Sequence, residues 1–297
     1  MRIKEIFVGL MAVSLLSMAA FAQKSGADLP PIKTKEYQLK NGMRVIMHED
    51  RSTPVVSVGV WYHVGAKNET EGRTGFAHLF EHMMFQGSKN YNADYFTPLQ
   101  EAGANINGTT NQDRTWYYET VPSNFLELAL FMEADRLGGL LEAMTQEKLD
   151  NQRDVVKNER RQRVDNQPYG TAFEKIGEIM YPKGHPYNWT TIGSLEDLQA
   201  ASMDDVKGFF RQYYVPNNTI LVLSGDFEEK QARTWIDKYF GAMPAGAAIT
   251  RPKPAQPKLD KEIRTIVEDS VPLARRYFVW HGVRTYAPDE PALDYLS

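Results

Sequence analysis

Residues 75–87 of this chain read GFAHLFEHMMFQG. Phe76, Ala77, Leu79, Phe80, Met83, Met84 and Phe85 make the segment apolar almost all round a helix, so it has to be buried. The same segment carries His78, Glu81 and His82. Four residues separate the two histidines, so both rings project from one helix face, and Glu81, three after His78, shares it. At about 100° per residue the three occupy an arc of roughly 100°. Two imidazoles and a carboxylate inside such a helix are costly unless something pairs with them. A metal ion does this directly. Neutral imidazoles four apart can bind one zinc, and a carboxylate beside them can hold and deprotonate its water. The alternative, polar residues on the surface of an ordinary helix, fits poorly with the apolar flanks.

Composition narrows the choice of donors. None of the 297 residues is cysteine, which excludes disulfides, thiolate zinc fingers, iron–sulfur clusters and a cysteine nucleophile. Any metal site must use His, Asp or Glu. A hydrophobic fraction of 42% and a net charge of −4 exclude a disordered chain and leave no electrostatic footprint for nucleic acid. The basic cluster Arg153, Lys157, Arg160, Arg161 and Arg163 reads as a solvated helix face.

Residues 1–22 read as a signal peptide. Arg2 and Lys4 give a basic start, 6–22 carries no charge, and Ala20-Phe21-Ala22 is a small-x-small cleavage pattern. That run of 17 residues falls short of the roughly 20 that a membrane span needs. After cleavage no stable membrane span is expected, and the protein is placed outside the inner membrane, in a bacterial periplasm.

A polar lead follows at 23–35. Asn41-Gly42 between two alternating runs predicts a β-hairpin over 37–47. Further strands are expected at 55–64, 105–110, 115–120 and 219–224. Helical patterns fall at 75–86, 95–101, 123–141, 146–164, 170–180, 203–213 and 229–240. Strands in pairs and helices in blocks predict an α+β fold, with helices packed against a mostly antiparallel sheet. The main domain is expected over 36–243. Pro244, Pro252, Pro254 and Pro257 mark a linker over 244–260. Beyond it, 276–281 resembles a strand, and Asp289-Glu290-Pro291 opens a helix. Residues 261–297 thus read as the incomplete start of a second domain.

A catalytic zinc takes three protein ligands and keeps one open position. His63, on the 55–64 strand, and His185, in a loop beside Pro186, are candidates for the third. Glu159 is a better one. It shares a helical stripe with Leu149, Gln152, Val155 and Val156, and a carboxylate on an apolar face needs a partner. Its alternative role is a buried salt bridge to one of the arginines.

The order His-x-x-Glu-His inverts the usual zinc-peptidase motif. With 76 residues between His82 and Glu159, the chain resembles the pitrilysin/insulinase family of zinc peptidases. The likeness runs from about Glu36 to Asp294. It takes in the Asn-Gly hairpin, Gly103-Ala-Asn-Ile-Asn107-Gly, Asp154-Val-Val-Lys-Asn-Glu159-Arg-Arg and His185-Pro-Tyr187 leading to Ile192-Gly193-Ser194.

The resemblance implies a metallopeptidase fold of the processing-peptidase type and one zinc per chain. It implies His78, His82 and Glu159 as ligands and Glu81 as the general base that activates the zinc water for attack on a peptide carbonyl. Asn107 matches residues of the edge strand beside the active site, where an extended peptide substrate adds as a strand. Its alternative is a turn or bulge residue next to Gly108. Some relatives carry an acidic residue seven before the zinc Glu. Gln152 stands there instead, able to orient a ligand but not to add charge. Family members work as two similar domains facing each other, the second supplying substrate-binding Arg and Tyr. A second peptidase-like domain or subunit is therefore an expected partner. Two competing readings are a non-catalytic subunit of a heteromeric complex, and a purely structural zinc site. A closed structural site would have no use for Glu81 beside His82.

Overall fold

The computed structural model describes residues 31–251 and 253–296. The expected signal peptide, most of the polar lead, Pro252 and Ser297 lie outside the described residues.

Six strands form one sheet: β1 (Lys35–Gln38), β2 (Arg44–Glu49), β3 (Val55–Tyr62), β4 (Asn105–Thr110), β5 (Thr115–Pro122) and β6 (Thr219–Gly225). Their spatial order is β1-β2-β6-β3-β5-β4. Every neighbouring pair is antiparallel except β2 with β6. The hairpin over β1 and β2 pairs Tyr37 with Val45, as the Asn41-Gly42 turn predicts. Registers such as Val60↔Leu221, Val58↔Leu223 and Val60↔Tyr117 put apolar side chains opposite one another on a single face.

Helices lie over that face or pack against those that do. They are α1 (Phe76–Met83), α2 (Phe96–Glu101), α3 (Leu126–Ala143), α4 (Gln146–Arg160), α5 (Ala172–Met180), α6 (Leu195–Ala200), α7 (Met203–Tyr213) and α8 (Glu229–Phe240). A further helix, α9 (Glu290–Leu296), follows Asp289. Phe80, Met83 and Met84 are fully buried with Val58, Val60, Tyr62, Leu126, Leu130, Leu221 and Leu223 in one core. Each such side chain contributes about 1.5–3 kcal/mol by leaving water. The expected α+β architecture is therefore observed, with a mostly antiparallel sheet. Among the described residues no helix is long and apolar enough to cross a membrane.

Two expectations need correction. Val155 is 40% exposed, whereas Leu149, Gln152 and Val156 are buried. It stands about 100° from Val156 on the helix and falls past the edge of the inward stripe. Residues 276–281 form no strand. A strand needs a neighbour to complete its ladder, and none of the described backbone pairs with this segment; Phe278 and Trp280 are instead exposed. Helix α6 adds to the helices the sequence patterns predict, and Ser194 caps it by accepting from the Asp197 amide at 3.0 Å. Residues 244–251 and 253–260 carry no helix or strand.

Candidate metal centre

Helix α1 is only eight residues long, about two turns, and has no side-chain cap at Gly75. Glu69, eight residues before Ala77, takes that role. Its fully buried carboxylate accepts from the amides of Gly75 (3.0 Å) and Ala77 (2.8 Å). These are the orphan donors of a helix start, and the carboxyl oxygens satisfy them. Burial outweighs both amides and pushes the Glu69 acid up to about 8. From beneath, the Tyr117 hydroxyl donates to the Phe80 carbonyl at 3.3 Å. Arg136, buried and paired with Glu133, stacks 4.2 Å from the Tyr117 ring centre. Neither Glu69 nor this support follows from the sequence pattern, since Glu69 lies in a loop and Arg136 finds its rings only in the fold.

Helix α4 begins at Thr145, whose hydroxyl accepts from the Lys148 amide. Its last turn carries Glu159 to α1. There Glu159 Oε2 lies 3.2 Å from His82 Nε2 and 3.6 Å from His78 Nε2. The two imidazole rings are 4.8 Å apart and nearly perpendicular, at 84°. Zinc–ligand distances of about 2.0–2.2 Å in a tetrahedron put donor atoms roughly 3.4 Å apart, so these three side chains fit a zinc ion. Among the described residues they are the one His/Cys/Asp/Glu group gathered closely enough to hold a metal, with all donors within 4.8 Å.

The electrostatics suit a cation. Burial, reinforced by the neighbouring His82 ring, lowers His78 to about 4, so it stands as a neutral imidazole. Its Nδ1 is buried with no hydrogen-bond partner and lends no help to a charged ring. Glu159 is held below the usual carboxylate range, first by its contact with His82, then by His78 and Arg163. Arg163 Nη1 meets the other Glu159 oxygen, Oε1, at 2.6 Å. One oxygen therefore faces the histidines while the second is tied to a guanidinium. Within the basic cluster Arg160, 13% exposed, departs from the reading as a solvated face, while Arg163 stays 76% exposed in keeping with it even as it meets Glu159. An i,i+4 Glu–Arg pair was the available signal.

Glu81 lies on α1 beside the three donors, half-buried. Burial raises its acid, opposed by the Thr110 hydroxyl and by His82. Helix α1 crosses β4 at Gly108, where an added Cβ would come within 3.1 Å of Glu81 Cγ and 3.2 Å of the Phe85 ring. A glycine within a strand signals such a close approach, and here it makes room for Glu81.

The other expected residues are placed as follows. Asn107 is exposed on β4, at the sheet edge, and its side-chain oxygen accepts from the Gly108 amide at 2.8 Å. Gln152 is buried seven residues before Glu159, but its amide donates to Asn151 Oδ1 and not to the donor set. A side chain two helical turns back points along the same face yet about 10 Å down the axis, which places it out of reach. His63 and His185 are not brought to the donor set. His185 is buried against Tyr181 and accepts from the Tyr187 amide.

Comparison with known proteins is consistent across sequence and structure. Residues 44–191 match the family model described as insulinase (peptidase family M16), and residues 200–297 match the peptidase M16 inactive domain. The chain is 32% identical over 300 residues to the zinc protease PqqE of Helicobacter pylori, covering 98% of this chain and 65% of that protein. It is 26% identical over 266 residues to the mitochondrial-processing peptidase subunit beta of Blastocladiella emersonii, covering 88% and 55%. It thus spans less than two thirds of the length of either relative. The crystal structure of a protease from Helicobacter pylori superposes with a TM-score of 0.71 at 31% identity, covering 75% of this chain and 54% of that one.

Proposed function

The chain belongs to the insulinase family, peptidase family M16, and from that premise we propose that it is a zinc-dependent endopeptidase of peptides or unfolded protein segments. The observation that carries the reading is the meeting of His78, His82 and Glu159 at donor distances, with Glu81 on the same helix. Zinc bound there, one per chain, would polarise a peptide carbonyl and acidify a water. Glu81 takes the proton of the attacking water. Burial makes its acid weaker than an ordinary carboxyl, which suits it to hold that proton and pass it to the leaving amine. Glu159, with one oxygen tied to Arg163, keeps its other oxygen directed at the histidines. The open edge of β4, beside α1, offers main-chain groups to an extended peptide, with Asn107 at that edge.

Two similar domains cooperate in this reading. Residues 36–243 are the zinc-bearing one, 244–260 the linker, and 261–297 belong to another; a second peptidase-like domain or subunit supplies substrate-binding Arg and Tyr. The match of residues 200–297 to the inactive-domain model supports a second domain, though it begins within the 36–243 span and not at 261. The same match, and a relative named as a subunit, favour a second reading: a chain that cleaves only with its partner. The signal-peptide pattern supports export to a periplasm.

The test is metal content and turnover of a quenched unstructured peptide, by the chain alone and with a partner domain. Zinc bound at one per chain and cleavage abolished by a chelator are expected. A chain that binds no zinc overturns the proposal.

A further inference from the structure

The donors come from helices far apart in sequence, so something must fix α4 against α1 to within a fraction of an ångström. We infer that Arg160 is the positioning residue that does so. This rests on the metallopeptidase reading above.

Arg160 adjoins Glu159 at the end of α4, where the helix widens into a π-turn over Arg161–Asp165. Such turns redirect side chains and recur at functional sites. The Arg160 side chain is 13% exposed. Its Nη1 donates to the Gly193 carbonyl at 2.8 Å. Both of its terminal nitrogens also bind Glu174 of α5, Nη2 at 3.0 Å and Nη1 by a shorter contact. A planar two-point pairing of this kind has a defined direction, unlike a point charge on a flexible stem.

The residue that Arg160 holds is pressed on the start of α1. A Cβ on Gly193 would stand 2.5 Å from Gly75 Cα, and one on Gly75 would stand 2.8 Å from the Ile192 carbonyl oxygen. Both glycines have positive φ, +72° and +87°, so neither the space nor the backbone admits another residue without strain. The contact is stitched on either side. Ser194 N donates to Thr74 Oγ1 at 3.1 Å, and Thr74 N donates to Asp197 Oδ2 at 3.0 Å. Gly75 is the cap of α1 and stands three residues before His78. A continuous path therefore runs from Glu159 through Arg160, Gly193 and Gly75 to His78. Glu174 anchors the guanidinium, and Thr190 Oγ1 at 3.3 Å ties Glu174 to the same loop.

The experiment uses the 297-residue chain and the metals alone. Zinc affinity is measured by competition with a chelating dye, and Co²⁺ replaces zinc to report ligand geometry through its visible bands. Arg160→Gln and Glu174→Gln are each expected to weaken zinc by about 10–100-fold, as removal of residues that orient metal ligands does. Both are also expected to shift the Co²⁺ bands. Arg160→Lys, which keeps one bond to Gly193, recovers part of the affinity. A role in stability alone would lower the unfolding temperature and leave the Co²⁺ bands of the folded protein where they are. Zinc affinities within twofold of the parent for both variants, with unchanged bands, overturn the inference. Should Arg160→Gln fail to fold, Glu174→Gln carries the same two outcomes. A parent chain that binds neither metal overturns the metallopeptidase reading, and this inference with it.

Discussion

Gly108 on the edge strand faces Glu81 on α1 so closely that an added Cβ would lie 3.1 Å from Glu81 Cγ. The glycine thus sets how near the candidate base comes to the strand where a peptide would add. Gly108→Ala is expected to displace Glu81 and leave the three donors untouched. Peptide turnover should fall about 10-fold or more, since misplacement of a reacting group by an ångström costs up to about 100-fold. Bound zinc should stay at the parent level. Unchanged turnover in the alanine variant would show that the close approach has no catalytic consequence.

Glu81→Gln keeps the shape of the side chain and removes its capacity to take a proton. Zinc content should remain at one per chain while turnover falls by about 10²–10⁴-fold, the usual contribution of a positioned base. Parallel metal analysis and peptide assays check this. Wild-type turnover in Glu81→Gln would remove it as the base.

His82 Nε2 is 3.2 Å from Glu159 Oε2, the closer of the two histidine–glutamate contacts. His82→Ala should abolish stoichiometric zinc, because two remaining donors do not close a tetrahedral site. Equal zinc in variant and parent would sink the ligand assignment.

Glu69 makes a prediction about stability and pH. Its acid rises from 4.5 to about 8 on folding because burial dominates. The folded state therefore binds more protons than the unfolded state between those values. Glu69's contribution is fully present below pH 4.5 and is lost as pH climbs towards 8. One such group tilts unfolding free energy by up to about 1.4 kcal/mol per pH unit. Glu69→Gln cannot titrate, so denaturant unfolding from pH 5 to 8 should show a shallower fall. An identical slope in parent and variant would contradict the burial argument.

The local signals were legible where chemistry and periodicity coincide. An apolar helix with His78, Glu81 and His82 announces itself, and Asn41-Gly42 marks its hairpin. Glu159 could be singled out because a carboxylate on a buried stripe needs a partner. Val155 could not be placed, since one residue's rotation decides whether a side chain lies within the stripe or beyond it. The supports of the site were illegible for a different reason. Glu69 caps a helix from a loop, Arg160 bonds a carbonyl 33 residues away, and Arg136 stacks on rings from β5 and the α2 region. No spacing encodes such meetings, which exist only once the chain has folded. The insertion of β6 between β2 and β3, parallel to the one and antiparallel to the other, belongs to the same class.

That insertion orders the assembly of the protein in time. Among the described residues β6 is the last strand in sequence, and it is the seam of the sheet. Before residues 219–225 are made, the sheet can exist only as two pieces, β1-β2 and β3-β5-β4, with four open edges where the finished sheet has two. Pairings of such long range form late and slowly. In a chain emerging from the ribosome at about 5–20 residues per second, the sheet therefore stays in two pieces until residues 219–225 have been made. Until then four strand edges stay open to pairing with other chains, so the nascent sheet is most prone to aggregate just before β6 arrives.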